Sequence, residues 1–171
     1  MEKIIHHPVF FTATIRRWKP LLKPQKYKEV ILEQLRERIK WNQLIVYSYC
    51  IMDNHIHIIW QVKGDTKPSE LQKTFLESCS KQIKLDLEVN HPRVLELFKS
   101  SQKDRSYHFW KRCALSIELY NESIFKQKLN YIHNNPVAAR ICDQPEKYLY
   151  SSALYYEAGV DTTNILTHCN I

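Results

Sequence analysis

Glycine is nearly missing: Gly64 and Gly159 are the only two in 171 residues. Phosphate-cradling loops need clustered glycines, because only a backbone without Cβ lets several amides close on a phosphate. A Walker loop or a dinucleotide fingerprint therefore cannot be built, and no nucleotide cofactor is expected. Long hydrophobic runs are missing too. Nothing approaches the roughly 20 apolar residues that span a bilayer, and the first residues lack a signal-peptide core. No membrane partner is expected, and a cytoplasmic location is. Paired cysteine motifs are also absent. Cys50, Cys79, Cys113, Cys142 and Cys169 are odd in number, scattered and without a C-x-x-C, so they read as reduced thiols. Acidic residues are in deficit, 18 against 25 Lys and Arg, which gives a net charge of +7. That surplus suits a polyanionic partner, and it equally suits plain solubility.

Hydrophobic residues make up 44% of the chain and charged residues 25%, the balance of a folding domain rather than of a disordered chain. Its length suits one domain over residues 1–171, with a core over about 8–140 and an extension over 141–171. The run Val9, Phe10, Phe11, Thr12, Thr14, Ile15 predicts a first strand within 8–17. Tyr27, Ile31, Leu35 and Ile39 recur every fourth residue and predict a helix over 24–41. Two strands over 44–51 and 55–62 flank Met52-Asp53-Asn54, a turn-forming peptide, and form a hairpin. Ser69 and Gln72 have capping-box spacing ahead of the stripe Leu71, Phe75, Cys79, Ile83, Leu87, which predicts a second helix. Residues 90–105 are polar and basic, including Lys99, Lys103 and Arg105, and predict a loop. A strand over 108–119 and a helix capped by Asn121 and running to Pro136 follow. The remaining 30 or so residues predict irregular turns. The order β, α, β, β, α, β with a further helix is that of an α+β, ferredoxin-like split βαβ domain with an antiparallel sheet.

Two peptides carry chemistry. In Asp53-Asn54-His55-Ile56-His57-Ile58-Ile59-Trp60, alternation along a strand puts His55 and His57 on one face, roughly 7 Å apart at the backbone, close enough for both imidazoles to converge on one ion. Ile56, Ile58 and Trp60 then face the core. The same pair also suits the polar face of a half-exposed hairpin. In Asn130-Tyr131-Ile132-His133-Asn134-Asn135-Pro136-Val137, Tyr131 and Asn135 are four residues apart and share a helix face away from Phe125, Leu129 and Ile132. A phenol there can act as a nucleophile if the charge that develops is stabilised, and Asn135 offers a neutral oxygen as a third ligand. Packing and helix termination are the plainer uses of that tyrosine and that Asn-Pro. His133 falls on nearly the opposite face from Tyr131, so packing or surface exposure is expected for it. His6, His7, His91, His108 and His168 have no companion motif.

Taken together, the His-hydrophobic-His pair after a short turn and Tyr-Ile-His-Asn-Asn-Pro-Val some seventy residues later resemble the single-tyrosine HUH transposases of bacterial insertion sequences, and most closely the REP-associated tyrosine transposases. The resemblance extends from the first strand through Tyr148-Leu149-Tyr150-Ser151-Ser152. It implies that His55 and His57 are metal ligands, that Tyr131 is the nucleophile, and that Asn135 completes the protein ligands in place of the family's more common glutamine, so that a water can intervene. Asp53 is offset by one from the family's acidic position and stays outside the metal shell. The implied cofactor is Mg²⁺ or Mn²⁺. The implied substrate is single-stranded DNA with a hairpin or palindromic element, cleaved and rejoined through a 5′-phosphotyrosine, by a monomer or a homodimer. Lys81, Lys84, Lys99, Lys103, Arg105, Lys111 and Arg112 are candidates for the DNA path, with Trp110 or Tyr107 stacking on bases.

Histidine-triad nucleotide hydrolases are the rival enzyme class, but the position of their third histidine holds Ile59 here. A domesticated hairpin-binding protein without turnover is the rival of a different kind. Intact His55, His57 and Tyr131 argue against it.

Overall fold

The computed structural model describes residues 6–101 and 106–169. Strand β1 (Val9–Thr14), helix α1 (Gln25–Lys40), β2 (Leu44–Ile51) and β3 (His55–Val62) stand where the apolar patterns place them. Helix α2 (Pro68–Asn90) buries all five predicted stripe residues, Leu71, Phe75, Cys79, Ile83 and Leu87. Its predicted capping box does not form, for Lys67 is the cap residue and no side chain bonds there. Pro68 starts the helix instead, since it has no amide to satisfy and its φ already suits a first turn.

Three further expectations need correction. The loop expected over 90–105 contains a short helix, α3 (Pro92–Glu96), with Leu95 and Phe98 buried. Pro92 initiates it, and Phe98 packs on Phe109 at 5.2 Å, contacts that the surrounding polar residues conceal in the sequence. The strand expected over 108–119 shrinks to β4 (Leu115–Glu118). Phe109 and Trp110 are buried, but Trp110 meets Ile15 only in an isolated bridge, and Cys113, at φ 58°, interrupts the extended backbone. The extension, expected to be irregular, carries a 3-10 turn at Pro145–Lys147 and a helix, α5 (Ala153–Ala158). Helix α4 (Glu122–Ala138) begins as predicted, with the Asn121 side chain accepting from the Ile124 amide at 2.9 Å, and passes through Pro136 by two residues. None of the described helices is long and apolar enough to cross a membrane.

The four strands form one antiparallel sheet in the order β2-β3-β1-β4, the split βαβ arrangement. Alternation gives the sheet two unlike faces. Ile56, Ile58 and Trp60 of β3 and Val9, Phe11 and Ala13 of β1 join α1 and α2 in the larger core, where Trp60 stacks on Phe11 at 4.9 Å and meets Phe75 edge-on at 5.2 Å. Phe10, Cys50 and Ile59 turn the other way and pack beneath Phe125 and Ile132 of α4.

β2 needs a bulge to hold this division. Leu44 and Val46 face the larger core, and so do Tyr49 and Ile51, which plain alternation forbids. The register slips between Val46 and Ser48, leaving Tyr47 as the extra residue. Its carbonyl, displaced from the ladder, accepts from the Tyr156 hydroxyl at 2.8 Å. The extension covers the rest of this edge. The Ile51 amide donates to Tyr150 O and the Ser152 amide to Tyr49 O, at 2.8 and 3.0 Å, while the Tyr148 hydroxyl donates to Ile51 O at 2.8 Å. An otherwise open strand edge is thereby closed.

His133 ties the three parts together. It is buried on the sheet side of α4, 2.9 Å from Ser152 Oγ and 3.3 Å from Ser48 Oγ. Burial pushes its imidazole down to about 4, against roughly 6.5 in an unfolded chain. Between those two values the unfolded chain binds more protons than the folded one, so this group's contribution to stability is whole above about pH 6.5 and is lost as the pH falls toward 4. Replacing His133 with asparagine removes the titration. In urea unfolding followed from pH 7 to pH 4, the wild type is expected to lose about 2–3 kcal/mol more than His133→Asn.

Candidate active site

His55 and His57 stand at the start of β3, on the face that α4 covers. His57 is 3% exposed, and its ring lies 4.8 Å from that of His55. Strand register supplies the partner that orients it. Thr12 of β1 is directly opposite His57, with Oγ1 2.7 Å from His57 Nδ1. For His55 the partner is its own neighbour, Asn54, whose Oδ1 lies 2.7 Å from His55 Nδ1. The Asn54 amide nitrogen donates to Trp18 O at 3.3 Å, which leaves the amide oxygen as the atom facing the imidazole. His55 Nδ1 therefore carries the proton and donates it, and its Nε2 is bare.

Asn135 bridges the pair from α4. Its Nδ2 donates to His57 Nε2 at 3.3 Å, and its Oδ1 lies 3.1 Å from His55 Nε2. The first contact makes His57 Nε2 an acceptor and leaves the Nδ1 proton for Thr12. In the second contact a carbonyl oxygen faces a bare ring nitrogen, two lone pairs with no proton between them. One amide cannot satisfy two bare nitrogens, because it donates on one side only. A cation among these three atoms would relieve that repulsion, and only three protein donors leave the rest of its coordination sphere to water and phosphate oxygens, the ligands that Mg²⁺ and Mn²⁺ prefer. No group of three His, Cys, Asp or Glu side chains that could hold a metal ion exists among the described residues, and the Asn135 amide oxygen is the further protein donor beside the two imidazoles.

Electrostatics keep both rings neutral. Burial, helped by the neighbouring His55, pushes His57 down to about 3, and burial also lowers His55, opposed in part by the Asn135 oxygen beside its Nε2, which favours a protonated ring. Asp53 is held from another direction. Lys28 of α1 donates to its carboxylate at 2.6 Å.

Tyr131 lies one turn before Asn135 and is 51% exposed, so its phenol is open to a large substrate. Its ring meets His57 edge-on at 5.3 Å and Phe10 at 6.0 Å. Lys128, a turn earlier on α4, holds its ammonium 5.0 Å from the Phe10 ring. Tyr131, His55, His57 and Asn135 thus meet within one chain. Thr12, Asn54, Phe10, Lys128 and Trp18 are additions that the sequence reading passed over. Asn54 lies inside the histidine motif, where it reads only as a turn former, while Thr12 becomes visible only once β1 is paired with β3.

Among the residues expected on a DNA path, Lys81, Lys84 and Lys111 line a groove of about 670 Å³ between α2 and residues 106–114, with Tyr107 on its wall. Lys84 places its ammonium 5.6 Å over the Tyr107 ring. Trp110 lines the same groove but is only 6% exposed and donates from Nε1 to Ser80 Oγ at 3.0 Å, which makes it floor rather than a free-standing platform. Arg112 is exposed and outside the groove lining, and Lys99 ion-pairs with Glu96 at 3.3 Å. Arg105 and Lys103 lie outside the described residues.

The chain shares its fold with the solved structure of a REP-associated tyrosine transposase bound to a REP hairpin, with a TM-score of 0.64 and 18% identity over 100% of this chain and 91% of that one. A candidate transposase from Deinococcus radiodurans R1 aligns at a TM-score of 0.40 and 13% identity over 78% of this chain and 92% of that one. No protein-family model and no curated protein matches the chain. At this identity the first likeness establishes the α+β fold, and the roles of individual residues rest on the geometry above.

Both site imidazoles are expected to be Nδ1-protonated neutral rings at pH 7 in metal-free protein. A ¹⁵N-resolved NMR titration should find His57 still neutral at pH 5 and His55 titrating below 6.5. Asn54→Ala should release the tautomer preference of His55 alone.

Proposed function

We propose that the protein is a transposase that cuts and rejoins single-stranded, hairpin-bearing DNA through a covalent bond to Tyr131. The observation that carries this reading is the meeting of an exposed phenol with two buried, neutral imidazoles and a bridging amide on one face of the sheet. An accessible phenol at that place can form a covalent bond to phosphorus, as a strand transferase needs. The structural neighbour of like fold binds a REP hairpin, and a hairpin flanked by single strand is the substrate assigned here. The basic surplus and the lysine-lined groove suit such a polyanion.

The chemistry balances without a nucleotide cofactor. Tyr131 Oη forms a bond to phosphorus, the bond from phosphorus to the 3′-oxygen breaks, the phenolic proton passes to solvent, and the departing oxygen takes up a proton as a 3′-hydroxyl. The tyrosyl phosphodiester keeps the energy of the broken linkage, so a 3′-hydroxyl of another strand end can reverse the step and join the strands. Mg²⁺ or Mn²⁺, held by His55 Nε2, His57 Nε2 and Asn135 Oδ1, would polarise the phosphoryl oxygens and stabilise charge during both steps. Thr12 and Asn54 hold the two imidazoles in the ligating tautomer. Phe10 and His57 flank the Tyr131 ring and limit where its hydroxyl can point.

Tyr131→Phe keeps the ring and removes one atom. It is expected to leave folding and DNA binding unchanged while lowering cleavage of labelled hairpin DNA at least about 10³-fold and abolishing the covalent band on a denaturing gel. Wild-type protein that binds the hairpin but never forms the band would instead be a hairpin-binding protein without turnover.

Metal binding can be tested apart from turnover. Calorimetry with Mn²⁺ should show affinity falling about 10- to 100-fold in Thr12→Val, which loses only the orienting hydroxyl, and further in His57→Ala. Tyr131→Phe should bind as the wild type does. Equal Mn²⁺ affinity in all four proteins would remove the metal from this site.

A further inference from the structure

Trp18 stands out among the four tryptophans. Trp60 and Trp110 are buried, while Trp18 is 57% exposed beside the histidines. It sits in the 3-10 turn Arg16–Trp18 directly after β1, where Arg17 and Trp18 have φ of 58° and 56°. Bulky residues rarely adopt this left-handed region, and two in succession persist only where surrounding bonds hold them. Such bonds are present: the Arg16 amide donates to Phe109 O at 2.7 Å, the Trp18 amide to Ile15 O at 3.0 Å, and the Asn54 side chain to Trp18 O at 3.3 Å. The indole gains little burial from this strain. What the turn achieves is a position, with the ring edge-on to His55 at 5.9 Å between centroids.

Lys111 approaches the same ring, its ammonium 5.9 Å from the centroid. Its amide donates to Thr14 O at 2.6 Å, so both residues are anchored at the end of β1. Lys111 also lines the basic groove with Lys81 and Lys84. Groove, Lys111, Trp18 and the histidine pair therefore form one continuous path.

We propose that Trp18 and Lys111 form a binding site for a single unpaired nucleotide next to the reaction centre, the base stacking on the indole and its phosphate pairing with the ammonium. This rests on the reading of the chain as a single-stranded DNA enzyme and adds the element that places the strand relative to Tyr131. An exposed aromatic with an adjacent cation is the general device for gripping single strands, and it needs no particular base because every base has a π face. Trp41 is the internal control. It is 71% exposed, but it follows α1 at the opposite end of the sheet, about 23 Å away as judged by the length of β3.

The test is a binding cycle by fluorescence anisotropy. The probe is a DNA hairpin with a single-stranded oligothymidine flank, used intact and as a series in which one flank base at a time is replaced by an abasic sugar. Removing the base at one flank position should weaken wild-type binding about tenfold or more. Trp18→Ala should weaken binding of the intact probe by a similar factor and lose nothing further on that abasic probe, while Trp18→Phe keeps most of the affinity. Trp41→Ala should retain the wild-type abasic profile, and Lys111→Ala should reduce the slope of log affinity against log salt by about one. Additive losses from Trp18→Ala and base removal, or no loss in Trp18→Ala and Trp18→Phe, would overturn the site even if the protein cleaves DNA normally. A wild type that neither binds the flanked hairpin nor forms a covalent adduct would overturn both this inference and the proposed function.

Discussion

The seating of α4 on the sheet is the constraint from which the rest follows. One helix has to serve two faces. Phe125 and Ile132 enter the smaller core while Tyr131 and Asn135 reach the histidines, so a small rotation about the helix axis would spoil both sets of contacts. His133 resists that rotation. It meets Ser48 of β2 and Ser152 of the extension, so the helix, the sheet edge and the C-terminal segment share one buried polar junction. Pro136 lies within the helix without ending it, and the Ala139 and Ile141 amides close the last turns onto Asn135 O and Pro136 O, at 3.0 and 2.9 Å.

A second constraint acts across the strands. β1 and β3 pair so that Thr12 faces His57 and Thr14 faces His55, and the short turn after β1 brings Trp18 O to Asn54. The placement of the two imidazoles is thus built into sheet register and one turn, while the Asn135 amide of α4 fixes the His57 tautomer. The helix adds the Asn135 amide and the Tyr131 phenol to this pair. Such preorganisation would serve the proposed phosphoryl transfer, most of whose work is positioning and charge stabilisation. The two faces of the sheet divide the labour: one holds the apolar core that makes the platform rigid, the other carries polar chemistry under a single helix.

Much of this was legible in the sequence, and the reason differs by element. The stripe of α2 and the hairpin of β2 and β3 follow from periodicities of roughly 3.6 and 2, which local sterics enforce. His55, His57, Tyr131 and Asn135 were legible because two short motifs placed them, and the structure brings all four together. What escaped depends on long-range pairing. Thr12 gains its role only opposite His57, and the Tyr47 bulge arises because β2 must keep Val46 and Tyr49 on one face. The extension looked irregular because its order comes from the edge of β2 rather than from a period of its own. Trp110 was a candidate for stacking on bases, yet its ring is buried beneath the groove.

The proposed chemistry turns on which atom joins the DNA. Wild-type protein incubated with hairpin DNA and Mn²⁺, denatured, digested with nuclease and protease and mapped by mass spectrometry, should yield one nucleotide-bearing peptide, modified at Tyr131 through the 5′-phosphate. Attachment at Tyr120, Tyr148 or Tyr150, or through a 3′-phosphate, would contradict it.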